Sequence, residues 1–233
     1  MDSYVKFLSK YRTRKYSKGE VILYQDEVPS AAYSVKNGIV KTYNITTHGE
    51  EKPITFSLKH EMFPIGWIFF KLHRAQYFYE AFTDCELYII PRSDYLKFLA
   101  KNPSSLYGLF DQFVGRYISY QMHVNALEQS KAAEKVLSTL DTLAKQYGKY
   151  LDDDKIKIDL PLTQQDLANF MGLTRETTGL ELKKLERKGI IIHSNHTYTV
   201  RSKQLAKLLG DEYTPHLAKV TNKLKIPWPK RVP

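Results

Sequence analysis

The densest run of side chains able to read another molecule lies between Thr163 and Lys188. Arg175 and Glu176 are adjacent, Gly179 and Leu180 follow about one turn later, and Lys183 one turn after that. On a helix these five share one side, while Thr178, Leu182 and Leu185 fall on the other, facing Leu167 and Phe170. A guanidinium matches the two acceptors of guanine, a carboxylate accepts from cytosine N4, and a leucine can touch a thymine methyl. Lys183, Lys184, Arg187 and Lys188 suit phosphate, which would make binding salt-dependent. The chemistry implied is recognition of a duplex in its major groove. Glu176 suits a helix N-terminus whatever its role. Arg175 there opposes the helix dipole at a cost of ~0.3–1 kcal/mol, which points to a role outside the fold. Gly179 inside a helix costs about 1 kcal/mol relative to alanine, and its missing side chain lets the helix come close to DNA.

Other reactive types are sparse. The only cysteine, Cys85, excludes a disulfide framework, a four-cysteine zinc site and an iron–sulfur cluster. His48, His60 and His73 are scattered, with no His-x-His pair, so a cupin-type metal enzyme is the weaker alternative. No metal and no catalytic residue are expected. His193 and His196 have no cysteine or carboxylate beside them and fit a hairpin turn. The chain of 233 residues carries 35 Lys+Arg against 25 Asp+Glu, a net charge of +10. From Leu160 onward there are 13 Lys+Arg against 6 Asp+Glu, so +7 of that excess sits on about a third of the chain. A polyanionic partner fits this imbalance. With 42% hydrophobic and 13% aromatic residues, the chain can bury a real core. No apolar leader follows Met1, and the run Met62 to Phe70 is too short to span a bilayer. A soluble, cytoplasmic protein with no membrane partner is expected.

These side chains need elements to hold them. Thr163 caps a helix, and Asp166 can return the capping contact. That helix ends at Gly172, and Thr174 caps a second one running to Lys188, stopped by Gly189. Two helices around a tight glycine turn make a helix-turn-helix. Ile190 to His193 and Thr197 to Val200 bracket Ser194-Asn195-His196 as a hairpin, which gives the unit a wing. Ser202 caps a last helix through Leu209, followed by a basic tail, Pro227-Trp228-Pro229-Lys230-Arg231. Residues 5 to about 92 read as short strands with Gly-bearing turns, a sandwich, jelly roll or barrel. Ser93 fits the N-cap of a short helix, and Asn102-Pro103 starts a long one. Along it Leu106, Phe110, Phe113, Tyr117, Tyr120, Val124 and Leu127 recur at alternating steps of four and three. Such a narrow seam predicts a homodimer through two facing helices. Another helix, from about Lys131 to Tyr147, leads to Gly148 and the acidic turn Asp152-Asp153-Asp154.

Strands, a long seam helix and a winged helix-turn-helix, in that order, resemble the CRP/FNR superfamily of transcription regulators. The likeness is carried by Thr163-Gln164-Gln165-Asp166-Leu167-Ala168, by Gly172-Leu173-Thr174-Arg175-Glu176-Thr177 and by Leu182 to Ile191. Lys18-Gly19-Glu20, Gln25-Asp26-Glu27, Val35-Lys36-Asn37-Gly38 and Asn102-Pro103 support it. The resemblance implies an α+β chain: a cyclic-nucleotide-binding-like jelly roll over residues 1–102, a dimerisation helix over 103–130 and a winged helix-turn-helix over 131–233. It also implies a dimer on a palindromic operator, with RNA polymerase as a further partner. Thr163, Gln164, Thr174, Arg175, Glu176, Thr177, Gly179, Leu180 and Lys183 would contact DNA. Leu180 stands where the family usually has a base-reading arginine. Cyclic-nucleotide binders of the family carry a Gly-Glu pair for the ribose and an Arg-Ser or Arg-Thr pair for the phosphate. Here Gly66 is followed by Trp67, and Arg74 sits early and precedes alanine, so cAMP is not the expected ligand. Gly66, Trp67, Phe69, His73, Arg74 and Tyr77 form either an aromatic barrel wall or a pocket for an apolar effector of unknown identity. A haem on His48, His60 or His73 stays open, as does a constitutive regulator whose β-domain only dimerises.

Overall fold

The computed structural model describes residues 3–210. The basic tail read from the sequence lies outside the described residues. Two compact units are present. One comprises the chain up to Ile118 together with Gln164–Arg175. The other comprises Ser119–Thr163 and the chain from Glu176.

The first unit begins with α1 (Ser3–Leu8), where strands alone were expected. Six residues make fewer than two turns, too few for a helical period to stand out. There follow β1 (Thr13–Tyr16), β2 (Val21–Leu23), β3 (Ala32–Asn37), β4 (Val40–Ile45), β5 (Glu51–Ser57) and β6 (Met62–Phe63). After α2 (Ile65–Ile68) come β7 (Phe78–Ala81) and β8 (Cys85–Ile90). The strands form two antiparallel sheets, ordered β1-β8-β3-β6 and β2-β7-β4-β5. Period-two alternation sorts their side chains between two cores. Tyr33, Val35, Phe63 and Leu87 point inward to meet Leu23, Val40, Tyr79 and Ala81. Their neighbours Ala32, Met62, Tyr88 and Ile90 point outward and are covered by Phe7, Leu8, Trp67, Ile68, Tyr95 and Leu99. The turn joining β3 to β4 needs Gly38: its φ is +88°, and a side chain there would run into the Asp84 carbonyl.

α3 (Arg92–Lys101) starts after Pro91, so Ser93 lies inside it and bonds Asp94 rather than capping. The Asn102 amide donates back to the Phe98 carbonyl at 2.7 Å, and α4 (Pro103–Glu128) begins at the proline as the sequence predicts. The Arg116 guanidinium ties α4 to the sheet edge. It pairs with Glu61 and donates to Thr55 Oγ1 at 3.1 Å, while Gln112 donates to the other Glu61 oxygen at 2.8 Å. α6 (Gln164–Met171) packs in this unit on β5, with the Phe170 ring 6.4 Å from that of Phe56.

In the second unit, α5 (Ala132–Tyr147) buries Val136, Leu140, Leu143, Ala144 and Tyr147. At its end a side chain on Gly148 would collide with the Ala144 carbonyl and Ile156, so only glycine lets helix and strand approach here. The acidic turn proves to be a hairpin between β9 (Gly148–Tyr150) and β10 (Lys155–Ile158). Asp152 Oδ1 accepts the Asp154 and Lys155 amides at 2.8 and 2.6 Å, and those bonds lower its carboxyl pKa. These strands extend the wing, β11 (Ile191–Ser194) and β12 (Thr197–Arg201), into a sheet ordered β11-β12-β10-β9. α8 (Ser202–Leu209) follows, capped by no side chain, so the cap expected of Ser202 is not made.

Candidate nucleic-acid interface

The two helices around Gly172 form as the sequence predicts. α6 begins directly after Thr163, and Gly172 adopts φ +65° while the Leu173 amide reaches back to the Ala168 carbonyl at 3.0 Å. α7 (Arg175–Arg187) then starts after Thr174. At its end the Gly189 and Ile190 amides bond the Glu186 and Leu185 carbonyls at 2.9 and 3.0 Å, with Gly189 at φ +68°. This double closure satisfies the last carbonyls and fixes where the helix stops.

The faces of α7 separate as its spacing demands. Thr178, Leu182 and Leu185 are buried. Arg175, Glu176, Leu180 and Lys183 are exposed, and Thr177 and Gly179 are half-buried between the two faces. Lys184 is held by Glu181 at 2.7 Å, whereas Lys183 has no ion pair among the described residues. Thr163 and Thr174 are exposed and Gln164 half-buried. The wing turns through Asn195 and His196, at φ +47° and +58°, so Ser194 faces Thr197 across a two-residue connection. That is the backbone a mirror-image hairpin turn requires. His193, in β11, stacks on Tyr198 of β12 with ring centres 4.5 Å apart. Among the described residues no group of three His, Cys, Asp or Glu side chains could hold a metal ion.

The α4 seam lies on the outside of its helix. Phe110, Tyr117 and Val124 are 62%, 63% and 53% exposed, and Leu106, Tyr120 and Leu127 are exposed beside them. Phe113 is half-buried against Phe69, their ring centres 6.3 Å apart. Ser119, Met122 and Ala126 take the buried side.

The six candidate effector residues differ in burial and in partners. Trp67 is buried and lies under the Arg92 guanidinium, 4.3 Å from its ring, and Phe69 packs on the same cluster. His73 is exposed, and Tyr77 is half-buried, accepting from Gln76 at 3.0 Å. Gly66 lies within α2. Arg74 is exposed and donates to the Asp26 carbonyl at 2.7 Å, while its neighbour Ala75 takes the inward position in the core. The interior holds a stack instead: Phe63 lies between Tyr33 at 5.5 Å and Tyr79 at 5.1 Å, with ring planes within 16°. Sequence reasoning gave no sign of Arg116 and Glu61, because an ion pair 55 residues apart leaves no local pattern.

Fold and surface together define a helix-turn-helix protein with a cyclic-nucleotide-binding-type β-roll. Residues 13–102 match the family described as the cyclic nucleotide-binding domain, and 134–210 match the Crp-like helix-turn-helix domain. The chain belongs to the CRP/FNR superfamily of transcription regulators. It is 27% identical to the HTH-type transcriptional regulator ArcR of Staphylococcus haemolyticus over 195 residues, 83% of this chain and 84% of that one. It is 25% identical to the cAMP-activated global transcriptional regulator CRP of Haemophilus influenzae, over 83% of this chain and 86% of that one. Among solved structures it shares its fold with a CooA mutant from Carboxydothermus hydrogenoformans, at a TM-score of 0.73 and 17% identity, covering 90% of this chain and 93% of that one. No helix among the described residues is long and apolar enough to cross a membrane.

Proposed function

We propose that the protein is a homodimeric, sequence-specific DNA-binding regulator that lays α7 in the major groove of a palindromic operator. The observation that carries this reading is the exposed face of α7. There Arg175 and Glu176 stand at the helix N-terminus, and Lys183 is poised for phosphate. The exposed stripe on α4 supports pairing of two chains, since six exposed apolar residues at seam spacing need a facing helix to leave water. Two paired recognition helices would lie about 34 Å apart, one turn of the duplex. RNA polymerase is the further partner this reading calls for, and no catalytic step belongs to it.

The β-roll in this reading does not bind cAMP. Trp67 replaces the carboxylate that would hold the ribose, Arg74 is engaged on the Asp26 carbonyl, and Ala75 offers the phosphate nothing. The aromatic stack of Tyr33, Phe63 and Tyr79 favours a second reading, in which the β-roll dimerises and carries α4 without an effector.

Footprinting of the full chain on a selected duplex tests the proposal. Two protected half-sites about 10 base pairs apart are expected, unchanged by added cAMP. Protection spread evenly over any duplex would contradict it.

A further inference from the structure

The exposed face of α7 contains one side chain that does not fit a surface built for hydrogen bonds and charge. Leu180 is 62% exposed, with Arg175, Glu176 and Lys183 around it on the same side. Thr178, Leu182 and Leu185 fill the buried side of the helix, so Leu180 is not needed for packing. Half-buried Gly179 beside it adds no side chain to keep a partner surface away. The floor of a major groove offers donors, acceptors and one apolar group, the C5 methyl of thymine. Against any other base edge, a leucine would strip water from polar atoms and give nothing back.

We infer that Leu180 selects an A·T pair in each half-site by packing on its thymine methyl. This rests on the DNA-binding reading above and goes beyond it by assigning a base. Leu180 is five residues beyond Arg175, a rise of about 7.5 Å along the helix axis, so the two side chains meet different base pairs. Each half-site therefore carries a guanine read by Arg175 and a separate A·T pair read by Leu180.

The test uses the full chain and the duplex it selects from a random pool. Thymine at the assigned pair is replaced by deoxyuridine, which removes the methyl and leaves every hydrogen-bonding atom in place. Affinity should fall roughly fourfold per half-site, the value of one buried methyl. Leu180→Ala should lose a similar factor on the thymine duplex and no longer distinguish uracil from thymine. Leu180→Arg should move the selected pair toward G·C. Because Leu180 is exposed, these variants should keep the wild-type thermal transition. Tight, selective binding with no response to uracil, or selection of G·C by the wild-type chain at that pair, would overturn the inference alone. A chain that selects no duplex would overturn the DNA-binding reading and this inference with it.

Discussion

Replacing Arg116 with alanine gives the clearest test of how α4 is fastened to the β-roll. The side chains of Arg116 and Glu61 are only 19% and 16% exposed, so the pair lies largely out of water. Removing the guanidinium leaves the Glu61 carboxylate with its bonds from Gln112 and the Leu58 amide but without the Arg116 counter-charge. It also takes a donor from Thr55. Breaking a buried pair from one side costs about 3–5 kcal/mol, and the residual exposure here places Arg116→Ala near the lower end, about 3 kcal/mol. The cost comes mainly from a stranded charge, so it should shrink when the charge goes too. Arg116→Met combined with Glu61→Gln should recover at least about half of the loss. Denaturant unfolding at one fixed protein concentration reads both values, since a dimer's stability depends on concentration. A loss below about 1 kcal/mol for Arg116→Ala, or strict additivity of the two changes, would refute this account of the joint.

Phe110→Glu or Tyr117→Glu should leave the fold intact by circular dichroism but give monomers in sedimentation, with operator affinity reduced more than tenfold. Arg175→Ala should lower the preference for its guanine by about 1–3 kcal/mol in competition binding. Lys183→Ala should instead weaken all duplexes alike and flatten the salt dependence by about one unit of slope, read from titrations at several salt concentrations. Burial pushes the His123 imidazole down from its usual 6.5 to about 4. The folded protein therefore resists a proton that the unfolded chain accepts, and stability should fall as pH drops from about 6.5 toward 4. The full effect is about 3 kcal/mol, at 1.36 kcal/mol per pH unit. His123→Gln should flatten that part of the pH profile of unfolding.

The parts of the molecule legible in the sequence are those fixed by local rules. Gly172 and Gly189 both adopt the left-handed conformation expected of them, and the two faces of α7 follow from helical spacing alone. The extent of α4 was readable from its Asn102-Pro103 start, and six of its seven predicted seam residues are exposed, while Phe113 turns to Phe69. What escaped was either short or long-range. α1 has too few residues to reveal a period, and β9 with β10 flank an acidic turn that reads equally well as a linker. The aromatics between Met62 and Tyr79 pointed to a wall or a pocket. Which one depends on the side each ring takes, and that follows from strand pairing that composition does not reveal. Phe63 and Tyr79 turn inward to the stack, while Trp67 turns outward beneath Arg92.

Selection from a random pool of duplex DNA by the full chain tests the central claim most directly. The account predicts a two-fold symmetric consensus with half-sites about 10 base pairs apart, bound by two chains per duplex. A pool that stays random after repeated rounds, or a consensus without symmetry bound by one chain, would contradict it.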